Sequence, residues 1–233
     1  RMQEPKIIVD FLRAYFTYSN ALKGKKFLVT AGPTYEKIDP VRFIGNFSSG
    51  KMGYAIAQAL HEAGAEVTLV SGPTHIPPPA GVKTIFVESA NQMYHACLDV
   101  FPYVDGAIMA AAVADFRPAK VENQKIKKTK QLTIVLEQNP DILKELGRIK
   151  TSKQLLVGFA LETNDELQNA QDKLRRKNAD LIVLNSLQDE KSGFGYDTNK
   201  VIFVFRNEVK PLPLLTKREV AQKLVEEIIR ILS

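Results

Sequence analysis

The sequence predicts a doubly wound, mostly parallel α/β sheet with antiparallel strands added by a hairpin near the C-terminus. Three observations carry this reading. Short apolar runs alternate with stretches of helical periodicity along most of the chain. Residues 26–72 read as one complete β-α-β unit. Residues 201–205 and 209–214 read as two strands around Asn207-Glu208.

The β-α-β unit opens with Phe27-Leu28-Val29-Thr30, an apolar run stopped by Ala31-Gly32-Pro33. From Ser48 onward Met52, Ile56, Ala59, Leu60 and Ala63 recur at three- and four-residue steps, the period of a helix face. Gly64 closes that helix, and a second strand follows over 66–70. A right-handed crossover is expected. The helix opens Ser48-Ser49-Gly50-Lys51, where small side chains leave backbone N–H groups open to an anion.

Two nucleotide motifs nearly fit this stretch. A dinucleotide G-x-G-x-x-G bridges strand and helix directly, but about a dozen residues intervene here. The second strand ends Val70-Ser71-Gly72, with no carboxylate for a ribose hydroxyl. In Gly45-Asn46-Phe47-Ser48-Ser49-Gly50-Lys51 the glycines and lysine stand in P-loop register. Met52 then occupies the position of the Mg²⁺-binding Ser or Thr. The alternative is a glycine-rich helix start that serves close packing alone.

The remaining elements follow in order. Residues 82–87 form a third strand after a proline-rich loop, and residues 91–100 a helix with Met93, Ala96 and Leu98 inward. Residues 107–113 are a fully apolar fourth strand ending in Ala114-Asp115. A carboxylate there lies where ligands bind in open α/β sheets. Residues 116–130 are polar and lysine-bearing, and read either as a functional lid or as a basic surface loop. A strand is expected over 132–136, and Asn139-Pro140-Asp141 opens a helix to 149. Strands at 155–160 and 180–184 flank a helix over 165–178, which sets Lys173 and Lys177 on one face. Residues 192–199 read as a loop, and a long amphipathic helix runs over 216–232. Gly32, Ser48, Asp115 and Glu162 are expected to converge at the strand carboxyl ends.

Composition narrows the function. The chain has 233 residues, 45% of them hydrophobic, with no apolar run of membrane-spanning length. A soluble cytoplasmic protein is expected. One cysteine, Cys97, leaves no internal disulfide, and three scattered histidines form no metal-ligand cluster. The net charge of +6 is concentrated around 120–130 and 173–177. Few aromatics accompany those lysines, so no stacking platform for nucleic acid is evident.

Several separate runs together resemble the phosphopantothenoylcysteine synthetase family. They are DPVRFIGNFSSGKMG, AAAVADFRP followed by KIKK, NPDIL, and VGFALETN. The likeness covers residues 24–233. Residues 1–23, with a short amphipathic helix pattern, resemble the join to an upstream flavin-dependent decarboxylase half. No FMN is therefore expected for this chain. The resemblance implies a Rossmann-like fold, a homodimer, and a ligase of coenzyme A biosynthesis. It also implies that CTP and Mg²⁺ activate 4′-phosphopantothenate as an acyl-cytidylate, from which L-cysteine displaces CMP.

The resemblance further implies residue roles. Asn46 and Lys125 are catalytic, Lys125 in forming the acyl-cytidylate and Asn46 in its conversion. Arg42, Asn46, Ser48, Ser49, Gly50 and Ala112 lie at the substrate. Met109, Ala110, Ala111 and Asp115 line the nucleotide. Asn139, Pro140, Asp141, Ile142 and Phe159 complete its pocket, with Lys125, Lys173 and Lys177 at the phosphates. The metal ligands are left open. Phe47 stands where many bacterial members have His. The alternatives are an ATP-dependent version of the same ligase and an NAD-type oxidoreductase.

Overall fold

The computed structural model describes residues 20–128, 131–162, 164–186 and 196–233. The helix expected within the first 23 residues and part of the loop expected at 192–199 fall outside these residues. Eight strands form the main sheet: β1 (Lys26–Ala31), β2 (Glu66–Ser71), β3 (Lys83–Phe86), β4 (Gly106–Met109), β5 (Leu155–Glu162), β6 (Leu181–Ser186), β7 (Val201–Phe205) and β8 (Val209–Pro211). Their order across the sheet is β8-β7-β6-β5-β4-β1-β2-β3. Strands β1 to β6 are mutually parallel; β7 adds antiparallel to β6, and β8 antiparallel to β7. The chain runs outward from β1 to β3 and returns to the other side of β1 at β4. The β1–β4 seam is thus the topological switch point, where a crevice opens at the strand carboxyl ends.

Among the described residues five helices cover the sheet: α1 (Lys51–Glu62), α2 (Ala90–Val100), α3 (Ile142–Ile149), α4 (Glu166–Arg176) and α5 (Lys217–Leu232). Side chains alternate along each strand, so a strand feeds both faces. Phe27, Val29 and Ala31 of β1 pack under α1 and α5, together with Ile56, Leu60, Leu224 and Ile228. Leu28 faces the other way, into a cluster with Met93 and Cys97 of α2, Leu146 of α3 and Leu174 of α4. Burial pushes the Cys97 thiol up to about 12, which leaves it inert. Among the described residues no helix is long and apolar enough to cross a membrane.

Local signals in the sequence fix most helix ends. Ser89 caps α2 with Gln92 in a capping box, and Thr216 caps α5 with Glu219 in another. Beyond α1, Gly64 takes φ +93°; its N–H reaches His61 O at 2.9 Å while Ala65 N–H reaches Leu60 O at 3.0 Å. This pair of bonds is the Schellman arrangement. Gly53 meets a different demand. A Cβ there would lie 2.5 Å from Ala31 Cβ and 2.7 Å from Thr30 O, so only glycine lets α1 lie so close to β1.

The structure corrects several expected boundaries. Helix α1 begins at Lys51, not Ser48, because Gly50 turns left-handed at φ +79° as its N-cap. The dozen residues before it hold a hairpin, Tyr35–Lys37 paired with Phe43–Gly45. Strand β4 ends at Met109, short of the expected Val113. Beyond it Ala111 N–H turns to Thr30 Oγ1 at 3.1 Å and Ala112 N–H to Gly32 O at 2.9 Å. The strand expected at 132–136 falls instead at Leu136–Gln138, paired with Phe116–Pro118. Strand β8 ends at Pro211 rather than Leu214. Each shortened strand stops where a hydrogen bond from another segment or a proline ends the ladder, although the apolar run continues.

Candidate active site

Two adjoining cavities open at the switch point. The first, of about 520 Å³, lies between the ends of β4 and β5 and the starts of α3 and the C-terminal half of α4. The second, of about 390 Å³, lies between the start of α1, the residues after β4, and the end of β5. Ala111, Val113, Asp115, Phe159 and Lys173 line both.

The first cavity brings together Met109, Ala111, Asp115 and Phe159 with Asn139, Pro140, Asp141 and Ile142. Lys173 and Lys177 reach it from α4, on the one face that their spacing predicts. The second cavity gathers Asn46, Ser48, Ser49 and Gly50 with Ala110, Ala111 and Ala112. Of the four residues expected to converge, Ser48 and Asp115 line the second cavity, and Asp115 and Glu162 the first. Gly32 lines neither; its carbonyl accepts from Ala112 N–H beneath the site.

The walls are built by hydrogen bonds rather than by bulky side chains. The small residues 110–114 allow a close approach of neighbouring loops. Buried Thr30 and Thr34 place their hydroxyls on Ala111 N–H and Ala114 N–H, the latter at 3.0 Å. Asn46 donates from Nδ2 to Ala112 O at 3.1 Å and Val113 O at 3.2 Å, tying the two sides of the second cavity. Asn139 donates from Nδ2 to Ala114 O at 2.8 Å, and from its backbone to Asp115 O at 2.8 Å.

Charge is arranged just as locally. Asp141 accepts from Lys144 N–H at the start of α3 and pairs with Lys177. Burial disfavours its charged form, but Lys177, the Lys144 N–H and Lys173 outweigh that and hold the carboxyl below its ordinary value. Lys173 makes no hydrogen bond or ion pair among the described residues. Burial lowers its pKa, Glu162 works against that, and Lys177 adds to it. At the start of α1, Gly50 supplies no side-chain cap, which leaves first-turn N–H groups without a protein side-chain acceptor.

Arg42 and Lys125 line neither cavity. Arg42 pairs through its guanidinium with Asp39, which is 1% exposed, and donates from Nη2 to Ile126 O at 3.0 Å. Asp39 in turn accepts from Ile126 N–H at 3.1 Å. The pair therefore anchors the lysine-bearing loop beside Lys125, which is exposed. The guanidinium first, helped by three backbone N–H groups, holds the Asp39 carboxyl well below the usual carboxylate range.

The P-loop register does not survive folding. Gly45 is a strand residue opposite Tyr35, and Lys51 pairs with Asp197 at 2.5 Å. An NAD-type ribose contact is likewise missing from the end of β2, where Ser71 bonds Tyr54 at 3.0 Å. Arg176, from the basic run at 173–177, also lines the first cavity, and Asn169 and Lys217 line the cavities without having been singled out from the sequence. For Lys217 a signal existed: a lysine in the first turn of a helix opposes the helix dipole.

Among the described residues no three His, Cys, Asp or Glu side chains group as a metal cage. Mg²⁺ accompanying a triphosphate needs only one or two carboxylates beside phosphate oxygens and water. Asp115 and Glu162 on the cavity wall fit that demand.

The family model described as DNA/pantothenate metabolism flavoprotein C-terminal domain matches residues 22–232. A cysteine/cysteine sulfinic acid decarboxylase from an unknown prokaryotic organism is 46% identical over 236 residues, spanning 98% of this chain and 66% of that protein. The coenzyme A biosynthesis bifunctional protein CoaBC of Bacillus subtilis (strain 168) is 45% identical over 233 residues, spanning 98% of this chain and 57% of that protein. The crystal structure of the C-terminal domain of a coenzyme A biosynthesis bifunctional protein CoaBC superposes with a TM-score of 0.79 at 49% identity. That match covers 92% of this chain and 98% of that one. The chain thus spans 57–66% of the length of these two curated relatives.

Proposed function

This chain belongs to the DNA/pantothenate metabolism flavoprotein C-terminal domain family, and from that premise we propose that it joins 4′-phosphopantothenate to L-cysteine in coenzyme A biosynthesis, with CTP as the activating nucleotide. The observation that carries this reading is the shared wall of the two cavities. A ligase of this kind must hold a nucleotide and a carboxylate side by side, with a cation between them. The two cavities meet at Lys173, Asp115 and Phe159.

The chemistry has two steps. A carboxylate oxygen of phosphopantothenate attacks the α-phosphorus, and the bond to the pyrophosphate oxygen breaks. The products are an acyl-cytidylate and pyrophosphate. The cysteine amine then attacks the acyl carbonyl, CMP leaves with the C–O bonding pair, and the amine loses a proton. Two anions meet in the first step, so cations must offset their charge. Lys173 is placed between the cavities for this, and the loop carrying Lys125 closes over the site to add a second cation. Mg²⁺, when bound, offsets charge on the triphosphate. Asn46, on the wall of the second cavity, exchanges one of its bonds to Ala112 O and Val113 O for a bond to the oxyanion that develops as the amine attacks. The edges around Asn139 and Asp141 and the ring of Phe159 suit a planar base. Closure also keeps water from the acyl intermediate.

A homodimer completes this reading. Val41, Phe43 and Phe47 on one hairpin and Phe116, Val135 and Leu136 around the other leave large apolar side chains exposed. Such a surface is suited to a second copy of the chain.

The test is pyrophosphate release with each nucleoside triphosphate, with and without 4′-phosphopantothenate. Release that needs phosphopantothenate and is fastest with CTP is expected. Equal or faster turnover with ATP would give the nucleotide role to ATP. Release indifferent to phosphopantothenate would remove the ligase reading altogether.

A further inference from the structure

Asp39 is a buried acid that lines neither cavity, and it holds two segments of the chain together. It sits in the turn between Tyr35–Lys37 and Phe43–Gly45 and is 1% exposed. One carboxylate oxygen, Oδ1, accepts from Val41 N–H at 2.8 Å and Arg42 N–H at 2.9 Å, which shapes the turn. The other, Oδ2, accepts from the Arg42 guanidinium, with Nε at 2.9 Å, and from Ile126 N–H at 3.1 Å. Arg42 closes the ring by donating from Nη2 to Ile126 O at 3.0 Å. One ion pair thus holds both backbone polar groups of Ile126. Glu122 N–H, bonded to Ile38 O at 3.0 Å, ties the same two segments a little upstream. Charge-assisted bonds are the strong ones, and a satisfied network of them is rigid.

The other end of the hairpin is fixed as well. Gly45 runs directly into Asn46, whose Nδ2 bonds Ala112 O and Val113 O on the wall of the second cavity. A continuous set of bonds therefore runs from that wall through the hairpin to Ile126, the neighbour of Lys125. Lys125 is exposed, and a long, flexible ammonium side chain is placed first of all by its backbone.

We infer that Asp39 is a positioning residue: by clasping Ile126 it fixes where the Lys125 backbone stands relative to the cavity wall, and so supports the step to which Lys125 contributes. The chemical consequence rests on the ligase reading; the clasp itself does not. Asp39→Asn separates the two tasks of the carboxylate. The remaining amide oxygen still accepts from the Val41 and Arg42 N–H groups, so the turn survives. The NH₂ that replaces Oδ2 cannot accept from the guanidinium or from Ile126, so the clasp opens.

Pyrophosphate release with CTP and 4′-phosphopantothenate is measured in the parent, Asp39→Asn, Lys125→Gln and the double variant, each checked for folding by circular dichroism. Amide hydrogen exchange over 119–128 is followed beside it. Asp39→Asn is expected to lower release about threefold to tenfold, because the lysine remains and only its placement is lost. In the Lys125→Gln background the same change is expected to cost nothing further, since a residue that acts through another is not additive with it. Exchange at Ile126 is expected to speed up about tenfold or more. Unchanged release in a folded Asp39→Asn overturns the positioning role. So does a loss that multiplies with that of Lys125→Gln, the mark of a structural effect alone. If Asp39→Asn does not fold, Ile126→Pro decides in its place. It deletes the N–H on the loop side and leaves the Asp39–Arg42 pair, and it is expected to lower release to a similar extent; unchanged release overturns the role. A parent chain that releases no pyrophosphate removes the ligase reading instead. Faster exchange in Asp39→Asn then keeps the clasp, and unchanged exchange overturns it.

Discussion

The two cavities share a wall but treat charge in opposite ways. The first sets Asp115, Asp141 and Glu162 against Lys173, Arg176 and Lys177. The second sets three lysines against Asp115. In the first, a carboxylate such as Asp141 is already satisfied by Lys177 and a helix N–H, so what remains for a ligand is mostly shape and backbone edges. Such a site suits a flat, neutral ring. In the second, Lys51 is paired at the rim with Asp197 and Lys217 donates to Tyr196 O, so Lys173 is the cation that faces both spaces. Lys173 belongs to both, which makes it the point where the two kinds of recognition meet.

The largest effects should come from residues proposed to act on the reacting atoms. Asn46→Asp places a carboxylate against Ala112 O and Val113 O and removes the amide donor. Amide formation is expected to fall on the order of a hundredfold or more, with acyl-cytidylate accumulating. Lys125→Gln should instead lower pyrophosphate release by about as much. Rapid quench with mass detection separates the two. If both variants block pyrophosphate release alike and no intermediate is trapped, the division of roles between second cavity and loop is wrong.

Lys173→Gln tests the shared wall. Loss of one charge-assisted contact is expected to raise KM about tenfold for CTP and for 4′-phosphopantothenate together. A rise for one substrate alone would make the cavities independent. Gly53→Ala acts on the second cavity through packing. Its new Cβ meets Ala31 Cβ and Thr30 O, and overpacking of this kind costs roughly 1–3 kcal/mol. Urea unfolding should show that loss.

The smallest effect concerns Asp39, which lines neither cavity. Its carboxyl is depressed in the folded state, so its contribution to stability is fully present above the unfolded carboxylate pKa of about 4. That contribution is lost as pH falls through the lower folded value. Asp39→Asn should therefore be less stable than the parent at pH 7, with the gap closing in strong acid. It should also free Ile126 from its anchor and raise protease cleavage within 119–128. A gap that is constant with pH would mean that the Asp39 charge does not matter.

The sequence by itself determined the layers of this protein. Alternating strand runs, helix-period stretches and Gly64 are local signals, each read within a few residues; the Ser89 and Thr216 capping boxes are equally local, but they were recognised only in the structure. The β7–β8 hairpin and the common face of Lys173 and Lys177 were legible for the same reason. Where an apolar run stopped being a strand was not. Residues 110–113 look like more strand, yet they peel away because Thr30, Gly32 and Thr34 of another segment take their N–H groups. The P-loop register around Gly45–Lys51 failed in the same way, since Tyr35 and Asp197 claim its ends. Lys217 and Asn185 stand far from Ser48 in sequence, and no local pattern joins them. Only the strand order, by setting β1 beside β4 and wrapping α5 against α1, made them walls of one cavity. A hydrogen bond or a charge pair across the fold is decided by distance in space, and distance in space is fixed only once the sheet has closed.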